Sequence, residues 1–375
     1  MKLADLTTLR VGGSAARILA PASSGELVAT LLDVWASGED WLLLGGGSNV
    51  VIGDEDFDGT VIRVVTRGVE RVSSVSPSPR PSAYHDDNAV RVRVQAGEPW
   101  DAVVADAVAS GLAGIEALSG IPGSSGAAPI QNIGAYGQEV GSSLVSIDFL
   151  DFETGELARI PASGLELGYR TSAIKHGRTG AVIAIELELT EGALSQPIAY
   201  AQLAGALGVR IGDRVPLDAV RDAVLSLRAA KGMLWNESDR DSYSAGSFFT
   251  NPIVSENFAR KLPADAPRWP TAPDEKDVVV PLGEVPPAEP VPLAAVDYRV
   301  KLSAAWLIEQ TGIHRGFSLP GSHAGISRKH TLAIVNRGGA TAAEVLELAR
   351  YVQTRVFAEF GVQLQPEPVL VGAAL

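Results

Sequence analysis

The sequence predicts an α+β fold in two or three domains. Three features predict it. The chain has 375 residues, 46% of them hydrophobic, enough for several buried cores at roughly 100–200 residues per domain. Strand-like and helix-like patterns alternate from the start. The last third turns helical, and proline-rich segments at 73–88 and 262–293 interrupt the chain.

Leu27, Val28, Leu31, Leu32 and Trp35 recur at helical spacing behind Ser23 and Ser24, which suit a helix cap. Trp41 to Leu44 is a short apolar run, read as a buried strand, and leads into a glycine loop. Residues 60–65 predict another strand. Val90, Val92 and Val94 alternate with Arg91, Arg93 and Gln95, the mark of a half-buried strand. Residues 100–110 form a helix that turns Val103, Val104, Ala107 and Val108 inward and stops at Gly111. The alternation of Ala181, Ile183, Ile185, Leu187 and Leu189 predicts a strand. Helices follow at 216–230, opened by a proline, and at 303–310, stopped by Gly312. A strand at 332–335 precedes a long helix from a Thr341–Glu344 capping box to Phe360. Both proline-rich segments read as surface loops; the second has nine prolines.

Composition narrows the function. The formal net charge of -13 disfavours a nucleic-acid coat, which needs a basic surface. The absence of cysteine excludes disulfides, thiolate nucleophiles, cysteine-held zinc and iron–sulfur clusters. The histidines, at 85, 176, 314, 323 and 330, have no metal-ligand spacing, so no metal site is expected. The N-terminus lacks a signal-peptide core, and no apolar run nears the ~18 residues of a membrane span, so a soluble, cytoplasmic protein is expected.

The most informative stretch is 120–137, Gly-Ile-Pro-Gly-Ser-Ser-Gly-Ala-Ala-Pro-Ile-Gln-Asn-Ile-Gly-Ala-Tyr-Gly, with five glycines and no charge. Glycines let backbone amides approach a ligand closely, and successive amides form a nest for phosphate oxygens. A shorter loop, Gly45-Gly46-Gly47-Ser48-Asn49, lies upstream. Neither has the Rossmann or P-loop spacing. Two such loops suggest one long ligand with a central pyrophosphate, such as FAD. With no cysteine in the chain and no histidine in either loop, that FAD would be held non-covalently.

Three polar residues stand out elsewhere. Arg170, in Tyr169-Arg170-Thr171-Ser172, reads either as a surface charge or as a fork for a carboxylate. Ser247, before Phe248 and Phe249, is either a turn residue or a hydroxyl held for proton delivery. Glu367, fixed between Pro366 and Pro368, is either exposed or a rigid carboxylate entering a strand.

Together these motifs resemble the UDP-N-acetylenolpyruvoylglucosamine reductase family. The resemblance runs in order through residues 8–13, 44–50, 121–137, 168–172, 245–252, 301–311 and 365–368. Gln196-Pro197-Ile198-Ala199-Tyr200 resembles the tyrosine segment of the longer-loop class. The two proline-rich insertions depart from compact members. The resemblance implies a two-subdomain FAD-binding fold of the vanillyl-alcohol-oxidase type plus a C-terminal α+β substrate domain. Its expected parts are 1–75 joined by 366–375, then 76–230 and 231–365. It implies NADPH-dependent reduction of an enolpyruvyl nucleotide sugar in peptidoglycan precursor synthesis, by a protein expected to be monomeric. Arg170, Ser247 and Glu367 take the catalytic positions, with Ser247 as proton donor. Gly45, Gly46, Gly47, Ser48, Asn49 and Val50 would hold FAD together with Ile121, Pro122, Gly123, Ser124, Gly126, Ala127, Ile130, Gln131, Gly134 and Ala135. Tyr136, Tyr200, Lys231 and Asn251 match positions that hold the UDP part.

Overall fold

The computed structural model describes residues 1–72, 88–271 and 299–375. Near the N-terminus, strand Phe57–Arg63 lies between Ala15–Leu19 and Trp41–Leu44 in a parallel sheet. Val50–Ile52 pairs in parallel with the C-terminal strand Val369–Val371, so the end of the chain returns to its beginning. The largest sheet is antiparallel, ordered Leu157–Pro161, Leu144–Asp151, Gly180–Glu191, Ala89–Gln95, Val69–Val72, with Leu112–Ala113 beside Gly180–Glu191.

Helix Ser24–Ser37 joins these two sheets. Leu27, Leu31 and Val34 pack in one core with Ile62 and Val64 from the first and with Leu150, Ala181 and Ile183 from the second. Ser23, not Ser24, caps the helix, in a reciprocal box with Glu26. Helix Trp100–Ala109 covers the large sheet, burying Trp100, Val103 and Val104 with Val92, Val94 and Ile185. The arginines of the alternating strand find carboxylates on the next strand, Gly180–Glu191, and on the one beyond it, Leu144–Asp151. Arg91 meets Glu186 at 3.3 Å and Glu188 at 3.2 Å, and Arg93 pairs with Asp148.

The C-terminal part has its own core. Helix Ala342–Phe360 buries Val345, Leu348, Ala349, Val352 and Val356 against Phe248, Phe249, Val300 and Leu302. The Thr341–Glu344 capping box is present, and Gly361 ends the helix at φ 67°.

Some expectations needed adjustment. The strand expected at 60–65 spans Phe57–Arg63, and the one at 332–335 is Ile334–Asn336. Within the segment read as a loop at 262–293, Arg268–Thr271 is a strand paired with Arg299–Leu302. It tolerates Pro270 because it lies at the sheet edge, where a missing N–H costs no ladder bond. Helix Ala201–Leu207 had no clear signal in the sequence. Residues 73–87 and 272–298, which hold most of both proline-rich segments, lie outside the described residues.

Candidate active site

The two glycine loops meet. A Cβ on Gly46 would sit 2.6 Å from the Gly123 Cα, so the backbones touch where no side chain fits. A Cβ on Gly45 would collide with the Ser124 hydroxyl. The Ser48 hydroxyl donates to the Pro122 carbonyl at 3.0 Å, and the Asn49 amide donates to Gln131 Oε1 at 2.9 Å. Helix Trp100–Ala109 anchors the second loop, its first N–H donating to the Gly123 carbonyl at 3.0 Å. Gly126 works differently from a ligand-facing glycine: its missing Cβ makes room for Ala96, 2.5 Å away, in the packing behind the loop.

All sixteen residues expected at the cofactor line one cleft of about 1060 Å³, together with the expected catalytic and substrate residues. Leu42, Leu43, Val64, Ala96, Phe149 and Val182 add apolar wall. Uncharged glycine loops beside apolar walls fit a dinucleotide, whose phosphates need amides and whose rings need apolar contact.

Arg170 and Glu367 meet in this cleft although 197 positions separate them. Arg170 Nε lies 3.4 Å from Glu367 Oε1. The guanidinium also donates to the carbonyls of Asn132 at 3.3 Å and Gly134 at 2.6 Å. Arg170 holds a left-handed backbone, φ 56°, which costs energy in a non-glycine residue and is a recurrent mark of functional sites. Burial pushes the Glu367 carboxyl above its usual range, opposed by Arg170 and Lys175. Gln131 Nε2 stands 3.5 Å from the same Glu367 oxygen.

Ser247 reaches the cleft through strand-like pairing. The Glu367 N–H donates to the Phe248 carbonyl at 2.9 Å, and Phe249 bridges Pro366. Phe248 and Phe249 are buried, which holds Ser247 at the cleft edge. Its Oγ lies 3.4 Å from His330 Nε2.

The remaining expected residues form the far wall. The rings of Tyr136 and Tyr200 meet edge to face, 5.8 Å between centroids. Lys231 Nζ lies 5.5 Å from the Tyr136 ring centre and donates to Gln202 at 2.9 Å. Burial and neighbouring Arg228 lower the Lys231 pKa. Asn251 Oδ1 accepts the Ala304 N–H at 3.0 Å, and Asn251 also bonds Tyr169, so its side chain already helps hold the site together.

Sequence reasoning missed several residues of this cleft. Arg228 precedes Lys231 by three positions at the end of helix Leu217–Ala230, a spacing that puts both on one side and could have been noticed. Lys175 and Lys301 also line the cleft, Lys301 with its Nζ 4.8 Å from the Tyr169 ring centre. His330 gave no local signal, since it enters from 83 residues beyond Ser247.

The family model described as an FAD binding domain matches residues 15–161. The one described as the C-terminal domain of UDP-N-acetylenolpyruvoylglucosamine reductase matches residues 238–371. The chain is 58% identical to the UDP-N-acetylenolpyruvoylglucosamine reductase of Leifsonia xyli, covering 100% of this chain and 98% of that protein. It is 46% identical to the reductase of Saccharopolyspora erythraea, over 100% of this chain and 95% of that one. The crystal structure of the Thermus caldophilus reductase shares the fold, with a TM-score of 0.61 at 24% identity, covering 99% and 97% of the two chains. The chain belongs to the UDP-N-acetylenolpyruvoylglucosamine reductase family.

Proposed function

We propose that this protein reduces UDP-N-acetylglucosamine enolpyruvate to UDP-N-acetylmuramate with NADPH, as a step in peptidoglycan precursor synthesis. Family membership supports the reaction, and the observation that carries the site is the meeting of Arg170, Glu367 and Ser247 on one cleft with both glycine loops. FAD, bound non-covalently along residues 45–50 and 121–135, supplies the hydride chemistry.

The chain's own groups do the rest. The Arg170 guanidinium pairs with the enolpyruvyl carboxylate and stabilises the charge that builds on it as the double bond is reduced. Two carboxylates there would repel, and the raised pKa of Glu367 favours its neutral form, which can donate a hydrogen bond. Ser247 protonates carbon 2 of the resulting enediolate, a base strong enough to take a hydroxyl proton. Tyr136, Tyr200, Lys231 and Asn251 hold the UDP end, with Arg228 beside Lys231 at the diphosphate. In the three-part division, 1–75 with 366–375 and then 76–230 enclose the dinucleotide, while 231–365 brings Ser247. Strand Val69–Val72 pairs into the large sheet and so works with the second part. We read the protein as a monomer and place it in the cytoplasm, where NADPH is kept reduced. No described helix is long and apolar enough to cross a membrane.

The test is NADPH oxidation by the purified yellow protein. It should require UDP-N-acetylglucosamine enolpyruvate and yield UDP-N-acetylmuramate. Oxidation equally fast without that substrate, or no product, would refute the reading.

A further inference from the structure

A serine that gives its proton to carbon is left as an alkoxide, far too basic to persist in a half-buried site. A second proton must arrive as the first leaves. Among the described residues, the side-chain partner of the Ser247 hydroxyl is His330, with 3.4 Å between Oγ and Nε2. The turn that presents His330 is tied down. Ser327 Oγ accepts the N–H groups of Lys329 at 3.0 Å and His330 at 3.3 Å, and itself donates to Asp241 at 2.7 Å. The imidazole lines the same cleft as Lys231 and Arg228.

We infer that His330 is the proton reservoir behind Ser247, and that the diphosphate of the bound nucleotide sugar loads it. This rests on the reading above that Lys231 and Arg228 hold the diphosphate. In the free protein His330 is pulled down to about 4, by burial first and then by Lys231, Arg228 and Arg315. The first two cations stand at the end of helix Leu217–Ala230, and Arg315 follows helix Ala304–Gln310. At neutral pH the empty site therefore keeps the imidazole uncharged. An anionic diphosphate on Lys231 and Arg228 offsets their repulsion and raises the imidazole's proton affinity when substrate arrives. The step balances. The Ser247 O–H bond breaks as the C–H bond forms at carbon 2. The His330 Nε2–H bond breaks as the Ser247 O–H re-forms, and the neutral imidazole regains a proton from solvent.

The experiment is an NMR titration of the FAD-loaded protein carrying labelled histidine, with and without UDP as the probe. The His330→Gln variant identifies the signal. His330 should titrate near 4 in the free protein and about two units or more higher with UDP, enough to populate the imidazolium near neutral pH. In stopped flow, His330→Gln should reduce its flavin with NADPH at the parent rate. Reoxidation by substrate should slow by ~10²-fold and lose its fall at high pH. If UDP binds and the His330 titration does not move, the relay is overturned and the diphosphate placement stands. If UDP does not bind, both are overturned. A variant that reoxidises at the parent rate with the parent pH profile also overturns the relay and leaves Glu367 or water as the proton source.

Discussion

Replacing Ser247 with alanine separates the reductive and protonating halves of the reaction. The hydroxyl has one side-chain partner among the described residues, His330 at a long 3.4 Å, and the residue is only half-buried. Losing that bond should cost stability about 1 kcal/mol or less, so the variant should fold and bind FAD. The buried Phe248 and Phe249 keep the segment in place without the hydroxyl. Catalysis should suffer far more. Loss of a positioned general acid slows a reaction by ~10²–10⁴-fold, which corresponds to about 3–5 kcal/mol in the barrier. The reduction of bound flavin by NADPH needs no proton from this hydroxyl and should keep its parent rate. Stopped-flow absorbance resolves the two halves: bleaching by NADPH unchanged, product formation with substrate slowed. Ser247→Cys should recover much of the loss, since a thiol in the same place is a competent acid. Product formation by Ser247→Ala at the parent rate would refute the role and leave Ser247 as a turn residue.

Acid precipitation should release the yellow colour into the supernatant, and colour kept by the pellet would contradict non-covalent binding. Gly46→Val should give colourless protein, because its Cβ would start 2.6 Å from the Gly123 Cα and force the loops apart. Lys231→Ala should raise the substrate KM strongly with flavin reduction by NADPH unchanged, as expected for a residue that contributes uniform binding; an equal loss in that half-reaction would sink the assignment. Asp101 should show a pH-dependent contribution to stability. Burial pushes its carboxyl up, but bonds from Arg221 at 2.7 and 3.0 Å and from the Gly120 N–H at 2.6 Å bring it below its ordinary 3.8. A lowered folded pKa stabilises above the unfolded value, so Asp101→Asn should lower Tm near neutrality. The gap should close as the pH falls below about 3.8, and a gap independent of pH would show that the charge is not the cause.

Most of the longer elements and the chemistry of the glycine loops were legible in the chain alone, whereas helix Ala201–Leu207 and edge strand Arg268–Thr271 were not. Helical spacing in Leu27, Leu31 and Trp35, the Thr341–Glu344 box and the alternation of Val90 to Val94 are local patterns that dictate local structure. The uncharged glycine runs likewise limited their ligand to one held by backbone amides. The ordered motifs identified the family before any contact was known. Tertiary structure decided what each polar residue faces. Arg170 and Glu367 were ambiguous singly because exposure is not a local property; their pairing depends on the last strand returning to Val50–Ile52. Gly126, which reads like its neighbours in the loop, turned out to serve packing against Ala96. His330 behind Ser247 had no trace in the chain, because a side-chain contact across 83 residues is set by how the C-terminal core packs and not by any spacing within it.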